Sequence, residues 1–407
     1  MHENDNSVSE VNRRSFLQTG AIATASAMTV ASATGSLAAP PAVKKTTLPV
    51  RPLGNTGATV TILNLGTWKS PGTDRLLRFA YSNGVRYFDT AKSYGSEPAI
   101  ARWLQAMPEV RKEIFLATKD HPNSPRDLIP LLDSRLAALQ TDYLDLFFIH
   151  GIGSDYGPQS MDWPKSKELK ETIETIKKSG KARFVGISCH DPKRAEYIQA
   201  AADGGFVDVV MLQFTPWLEK DAPLNRALDA CHKRGIGLVS MKQVAGHGEL
   251  EDVVKRVPTL KEKGLTPYQG LLHAIWSDER ISSCCVSMRN TDQITENSLA
   301  ASGFTAMNQA EIEQLRDACL AAGPTFCADC DGRCARAAGT DASLGDLTRL
   351  LTYHDQYGYR NEAKRLYSLM SESDRNWAGA DLDAAQRACP NRLDFTALLP
   401  RIDRNLA

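Results

Sequence analysis

The chain lacks a surplus of charge of either sign: 48 Lys and Arg residues are matched by 48 Asp and Glu. That removes the basic excess with which a nucleic-acid binder neutralises phosphates. It also lacks an apolar run of the roughly 20 residues that cross a bilayer. The nearest candidate, the Ala- and Thr-rich stretch 19–30, is too short and too polar. No repeat of fixed short period and no low-complexity tract interrupts the chain from residue 59 onward. Cysteine is sparse and odd in number, nine in all and mostly scattered singly, which is not the pattern of a disulfide framework. What is present is the material of an enzyme-sized globular protein, 407 residues with 42% hydrophobic side chains. A barrel of alternating strands and helices takes up about 250 residues as one domain, so this length does not force several domains.

The N-terminus carries an arginine pair, Arg13-Arg14, followed by Ser15-Phe16-Leu17, the mildly apolar run and small residues around Ser36-Leu37-Ala38. The order resembles a twin-arginine export signal, with Asn12 and Gln18 departing from that pattern. The plainer reading is a disordered basic tail, but such a tail has no reason to continue into an apolar run and a small-x-small cleavage site. The resemblance implies a signal over residues 1–38 and a linker over 39–50. It also implies export machinery as a partner and a periplasmic protein folded in the cytoplasm, a route suited to a protein whose metal cofactor is inserted first.

From residue 59 short β-branched runs alternate with amphipathic ones. Strands are predicted at 60–65, 85–90, 114–119, 143–150, 183–188, 207–213, 237–241 and 281–287. Helical patterns between them cover 74–82, 98–106, 125–139, 167–178, 192–202, 224–233 and 267–276, with Gly84, Gly180 and Gly235 closing several. Strands alternating with helices make parallel βαβ units, and eight such units close into a barrel. The predicted fold class is therefore α/β, a (β/α)8 TIM barrel over 51–320. A small α-helical, cysteine-containing domain follows over 321–407. Chemistry in such barrels sits where strands end, so polar residues there are the candidates.

Four of those ends carry reactive groups. The run VRYFDTAKSYG delivers Asp89 and Tyr94, LATK ends at Lys119, and DLFFIH ends at His150. Singly, each has an ordinary reading as a helix cap, a packed ring, a solvated amine or a satisfied core residue. Together they converge at the mouths of neighbouring strands. A Tyr hydroxyl, with its ordinary pKa near 10, is a poor proton donor unless a nearby ammonium favours the phenolate. Lys119 offers that ammonium, Asp89 holds it charged, and His150 can hydrogen-bond a carbonyl.

The opening RPLGNTGATVTILNLGTW, the run FDTAKSYG, and the Lys and His that end the third and fourth strands resemble the aldo-keto reductases across residues 51 to about 315. The resemblance implies a catalytic tetrad of Tyr94 as general acid/base, Lys119 and Asp89 as its tuning pair and His150 as substrate orienter. It also implies a small carbonyl or alcohol substrate and a nicotinamide cofactor across the barrel mouth. Ser188 and Gln213 stand where the family binds the carboxamide, although the Asn expected after that Ser is Cys189. Met241 stands where an aromatic ring commonly stacks on the nicotinamide. Glu296 and Asn297 match groups near the adenine. Ser287 and Gln293 replace the Lys and Arg that many members place on the 2′-phosphate, and Arg289 is a candidate substitute. The cofactor is NADP or NAD.

After residue 320 the composition changes. CADCDGRC supplies Cys327, Cys330 and Cys334, two amphipathic stretches follow at 344–353 and 360–370, and Cys389-Pro390 comes far downstream. A Cys-Pro pair also ends the bacterial ferredoxin pattern, in which three close cysteines bind one cluster and the cysteine before Pro ligates the other. Against that pattern the second set of ligands is replaced by Ala338, Gly379, Leu382 and Ala385, while the four surviving cysteines form the complete set for one cluster. The expectation is one [4Fe–4S] cluster on Cys327, Cys330, Cys334 and Cys389. Zinc on the same thiolates is the alternative, given the C-x2-C-x3-C spacing, and a decayed, metal-free tail is the plainer reading. The other five cysteines suit core or helix positions. An electron-transfer role through the cluster to a partner, or a redox-inert scaffold, are the rival functions.

Overall fold

The computed structural model describes residues 47–407 except 69, 71–72, 154–155, 192, 219, 243–256, 321–326, 328–331, 356–357 and 390. The expected export signal, most of the linker and Cys330 lie outside the described residues.

The chain opens with an antiparallel hairpin, β1 (Val50–Pro52) and β2 (Thr59–Thr61). Eight parallel strands then close a barrel: β3 (Leu63–Gly66), β4 (Tyr87–Asp89), β5 (Phe115–Asp120), β6 (Leu144–Ile149), β7 (Ala182–Cys189), β8 (Val209–Gln213), β9 (Gly237–Met241) and β10 (Ile281–Ser287). Strands neighbour one another in chain order, and β10 closes on β3. This is the predicted (β/α)8 barrel with one correction. The run expected as a single strand at 60–65 is two strands of different sheets, parted at Ile62, whose N–H donates to Pro49 O at 2.9 Å. Hydrophobic periodicity cannot see that break, because every residue from Val60 to Leu65 is buried.

Side chains alternate between the two faces of a strand, and the alternation sorts the core in two. Phe88, Leu116, Phe147, Val210 and Leu238 point outward into the layer shared with the helices. Tyr87, Ala117, Leu146, Phe148, Met211 and Val239 fill the barrel interior, which Leu53, Ala58 and Val60 of the hairpin plug from below. The helices start and stop on local chemistry. Ser166 accepts from Leu169 N–H at the head of Lys167–Ser179, and Gly180 ends that helix with φ of 75°. Thr266 and Gln269 form a capping box on Pro267–Trp276.

Beyond Gln309–Leu320 the tail is helical, with elements Arg333–Ala337, Leu344–Asp355, Arg360–Leu369, Glu372–Arg375, Leu382–Ala388 and Phe395–Leu406. It has an apolar cluster of its own in which Leu347, Leu351, Phe395, Leu399 and Ile402 are central. The tail is seated on the barrel mouth by Tyr359. That ring stands edge-on to Trp68, just beyond β3, at 5.7 Å and 81°, and the Arg289 guanidinium, just beyond β10, lies 4.6 Å from its centroid. Among the described residues no helix is long and apolar enough to cross a membrane.

Candidate active site

The parity that packs the barrel also aims the site. Asp89 lies two residues beyond inward-facing Tyr87, Lys119 two beyond Ala117, His150 two beyond Phe148, Gln213 two beyond Met211 and Met241 two beyond Val239. Each therefore points into the mouth of the barrel at its C-terminal end. Tyr94 arrives differently. After β4 the chain makes one 3-10 turn, Lys92–Tyr94, which Gly95 ends in the left-handed region at φ 69°. Behind that turn Ser96 Oγ links Thr90 Oγ1 at 2.6 Å and Thr67 Oγ1 at 2.7 Å. Glu97 accepts from Thr118 Oγ1 at 2.8 Å and pairs with Arg135 at 2.5 Å.

The four expected catalytic residues meet. The Tyr94 hydroxyl is 3.4 Å from His150 Nε2, the two rings standing edge-on at 5.5 Å. The Lys119 ammonium is 5.3 Å from the Tyr94 ring centroid, ion-paired with Asp89 and donating to Thr90 O at 3.0 Å. Lys119 and Asp89 are 1% and 2% exposed, so neither charge is tolerable without the other. Burial is the largest single effect and pulls the lysine down, but the Asp89 charge and smaller contributions from Tyr94, Cys285 and the Asp89 hydrogen bond together more than offset it and hold the ammonium charged. Burial lifts Asp89, and the lysine counters.

Tyr94 differs from the expectation that its lysine lowers its pKa. Burial outweighs the ammonium and pushes the phenol up to about 12, with Lys119 pulling the other way. The proton-donating form is thus the resting form. His150 is pushed well below its ordinary value, first by burial and then by the Lys119 charge. It is neutral at physiological pH and offers one donor and one acceptor nitrogen.

The cofactor positions are mixed. Gln213 is 1% exposed and its Nε2 has no hydrogen-bond partner, a buried donor with room for an acceptor such as the carboxamide oxygen. Ser188 Oγ accepts from Gly151 N–H at 2.8 Å and donates to Ile149 O at 3.3 Å. Met241 is partly buried against the barrel interior, and Ser287, which ends neighbouring β10 on the same rim, is also partly buried. Glu296 accepts from Thr266 Oγ1 at 2.5 Å, and Asn297 is buried beside it. Gln293 Oε1 accepts from Arg289 N–H at 2.8 Å, and the Arg289 guanidinium carbon lies 4.6 Å from the ring centroid of Tyr359 in the tail.

Sequence reasoning missed several mouth residues. The His121 ring lies 4.5 Å from that of His150, and Cys285 Sγ is 3.7 Å from Asp89 Oδ1. His190 and Lys242 follow β7 and β9, and Arg349 comes from the tail. The strand-end run KDH at 119–121 was a signal for His121. Parity was a signal for Cys285, which follows inward-facing Ser283 by two. Nothing local marks Arg349. Tyr156, in the loop after β6, donates to His150 O at 2.5 Å and packs on Trp163 at 5.4 Å.

In the tail, Cys327, Cys334 and Cys389 are all buried. Helix Arg333–Ala337, carrying Cys334, packs on Leu382–Ala388, which leads into Cys389, and Asp381 N–H donates to Ala338 O at 3.1 Å. Cys327 Sγ is 3.3 Å from where a Cβ on Gly345 would sit. Burial pushes the Cys389 thiol up, while the N–H groups of Leu393, Asn391 and Arg392 and the Arg333 charge favour the thiolate. Ala338 and Ala385, where a second cluster would need ligands, are packed in the apolar cluster with Leu382 against it. Among the described residues no three of His, Cys, Asp and Glu are gathered as ligands of one metal ion. Cys189, Cys231, Cys284 and Cys319 sit in the barrel core.

A closed parallel barrel with a Tyr–Lys–Asp–His group at its mouth is an oxidoreductase arrangement. The sequence profile described as "Aldo/keto reductase family" matches residues 63–318, more than half of the chain. The chain belongs to the aldo/keto reductase family, a family of NAD(P)-dependent oxidoreductases. It is 28% identical over 274 residues to "Aldo-keto reductase family 1 member A1" of Pongo abelii, covering 60% of this chain and 82% of that one. To "L-galactose dehydrogenase" of Arabidopsis thaliana it is 27% identical over 295 residues, covering 64% and 91%. The solved aldo-keto reductase AKR11C1 from Bacillus halodurans, in a holo form, superposes with a TM-score of 0.51 at 21% identity over 67% of this chain and 96% of that one. At that identity the likeness speaks to the fold.

Proposed function

We propose that this protein reduces an aldehyde or ketone to the alcohol with NADP(H) or NAD(H), and that its tail binds one [4Fe–4S] cluster, with zinc as the alternative, in a protein exported after folding. The carbonyl reading rests on the partly buried Tyr94 hydroxyl 3.4 Å from His150 Nε2 with the Lys119–Asp89 pair behind it. When bound, the nicotinamide supplies the hydride. The substrate oxygen is received between Tyr94 and His150, whose neutral ring orients it without adding charge. As negative charge gathers on that oxygen, Tyr94 Oη–H gives up its proton to it, and the phenolate left behind faces the Lys119 ammonium. In the low-dielectric pocket that attraction is strong, so burial, which holds the proton in place at rest, strengthens the stabilisation of the product phenolate. Asp89 fixes the ammonium in position.

The test is Tyr94→Phe assayed for nucleotide-dependent reduction of a panel of aldehydes. Loss of general acid catalysis is worth about 10²- to 10⁴-fold, with nucleotide affinity expected to stay close to the parent. Turnover within a few-fold of the parent defeats the assignment. The cluster reading is supported by the burial of Cys327, Cys334 and Cys389 and by the N–H groups turned toward the Cys389 sulfur. The seating of the tail on the barrel mouth through Tyr359 also favours a second reading, in which substrate electrons pass through the cluster to a partner.

A further inference from the structure

The four tetrad residues come from three stretches of chain, and one residue outside the tetrad is tied to all three. Asp120 follows Lys119 at the end of β5. Its backbone carbonyl accepts from His150 N–H at 2.9 Å, which fixes the residue after β6 to the end of β5. Its side chain turns away from the mouth, as strand parity requires of the neighbour of Lys119, and is 1% exposed. There Oδ1 accepts from His121 N–H at 2.8 Å and lies 3.6 Å from Lys92 Nζ, while Oδ2 lies 3.1 Å from Arg135 Nε. Lys92 opens the 3-10 turn that ends on Tyr94.

The charges behind this contact account for the presence of Lys92. Arg135 faces two buried carboxylates, Glu97 at 2.5 Å and Asp120 at 3.1 Å. The Glu97 contact is a hydrogen bond, and Thr118 Oγ1 donates to the same carboxylate at 2.8 Å; the Asp120 contact is an ion pair without hydrogen-bond alignment. One guanidinium is thus shared by two carboxylates, and Asp120 is the one it holds less well. A buried carboxylate is stable only when its charge is compensated. Lys92, with its side chain 54% exposed, supplies the second cation from the rim. A pair with both halves in solvent contributes little, but here one half is dry, and what the pair fixes is the turn that carries the proton donor. The far side of that turn is held separately by Ser96, bonded to Thr90 and Thr67.

We propose that Asp120 is a positioning residue for the reduction: through Lys92 it sets the Tyr94 hydroxyl against the Lys119 ammonium and His150. This rests on the carbonyl-reductase reading above and adds to it a residue outside the tetrad. Asp120 faces away from the substrate. Its effect passes by way of Lys92 to the turn of Tyr94, so its removal slows the proton transfer and leaves binding as it was.

The experiment uses the full chain at saturating nucleotide and the aldehyde of the Tyr94→Phe panel that the parent reduces fastest. It compares Lys92→Met, Lys92→Arg, Asp120→Asn and the double variant of Lys92→Met with Asp120→Asn, with nucleotide affinity read separately by fluorescence titration. Lys92→Met and Asp120→Asn should each lower kcat by about three- to tenfold with the aldehyde KM and the nucleotide Kd unchanged. The roughly 10²-fold cost of a 1 Å misplacement is not reached, because Ser96 still holds the turn. The solvent deuterium isotope effect on kcat should rise in both, since a displaced Tyr94 slows the proton transfer. The double variant should fall no lower than the worse single one, as residues acting along one path do not add. Lys92→Arg, which keeps the cation, should return most of the rate. Lys92 is exposed enough that its substitution decides the matter if Asp120→Asn fails to fold. Parental kcat in Lys92→Met, losses that add in the double variant, or a raised KM at unchanged kcat each overturn this inference and leave the carbonyl-reductase reading standing. A parent chain that reduces no aldehyde overturns both.

Discussion

Tyr94 is subject to two opposed effects, and their relative size decides how it works. The Lys119 ammonium favours the phenolate, burial favours the phenol, and burial is the larger, so the group rests protonated with a pKa pushed up to about 12. Reduction needs that protonated form. His150 is displaced the other way, well below its ordinary value, because burial and the Lys119 charge both resist a second cation. The acid limb from His150 therefore falls below the ordinary imidazole range and the alkaline limb from Tyr94 falls far above neutrality. For the reductive direction kcat/KM, which reports the free enzyme, should be flat between about pH 7 and about pH 9. A limb with its midpoint near neutrality that disappears in His150→Gln would contradict this. Cys285 follows the same rule: burial first, then the Asp89 charge, keep its thiol protonated, a donor to Asp89 Oδ1 at 3.7 Å and no nucleophile.

At the scale of the element, the site is placed by strand parity at the top of the barrel and secured by a hairpin at the bottom. Gly54, in the turn between β1 and β2, has φ of 52°, and a Cβ there would sit 2.2 Å from Gly235 O, just before β9. Neither the turn nor the carbonyl can yield without moving the hairpin that plugs the barrel. Gly54→Ala is expected to cost about 1–3 kcal/mol, the range for a strained backbone position. The denaturation midpoint should fall accordingly, with the turnover of the folded fraction unchanged because the tetrad lies at the other end. A midpoint equal to the parent's would show that the hairpin is not pressed against β9. The tail helices behave differently from the barrel helices, since they bury their apolar faces chiefly against one another, as Leu347, Leu351, Phe395 and Ile402 do.

At the scale of the whole molecule, the barrel carries a cysteine-bearing tail at one end of the chain and an arginine pair near the other. If the four tail cysteines hold a [4Fe–4S] cluster, anaerobically purified protein carries about four iron atoms per chain. Cys389→Ser should lose or weaken that content, whereas Cys319→Ser, a thiol buried in the barrel core, should not. Zinc without iron would reject the cluster while keeping the ligand set, and full metal in Cys389→Ser would reject the set itself. The export reading rests on Arg13-Arg14 and the residues after them. Replacing the pair by two lysines should retain folded protein in the cytoplasm, to be read by cell fractionation; unchanged export would count against it.

The eight-strand alternation, the tetrad and the assignment to the barrel's mouth were all legible in sequence. Each depends on local patterns: a two-residue period, a helical period, and polar residues where an apolar run stops. The break at Ile62 was not legible, because two strands of different sheets with no polar residue between them read as one. Nor was the sign of the Tyr94 shift, since the neighbouring charge is visible in sequence while the depth of burial belongs to the packed barrel. The approach of the Arg289 guanidinium to Tyr359 depends on where the tail docks, seventy residues further along the chain, which no local pattern marks. Sequence determined which groups this protein has and which strand ends hold them. Tertiary structure decided which charges share a dry pocket, because burial and long-range docking set a group's electrostatic surroundings and neither is encoded within one segment.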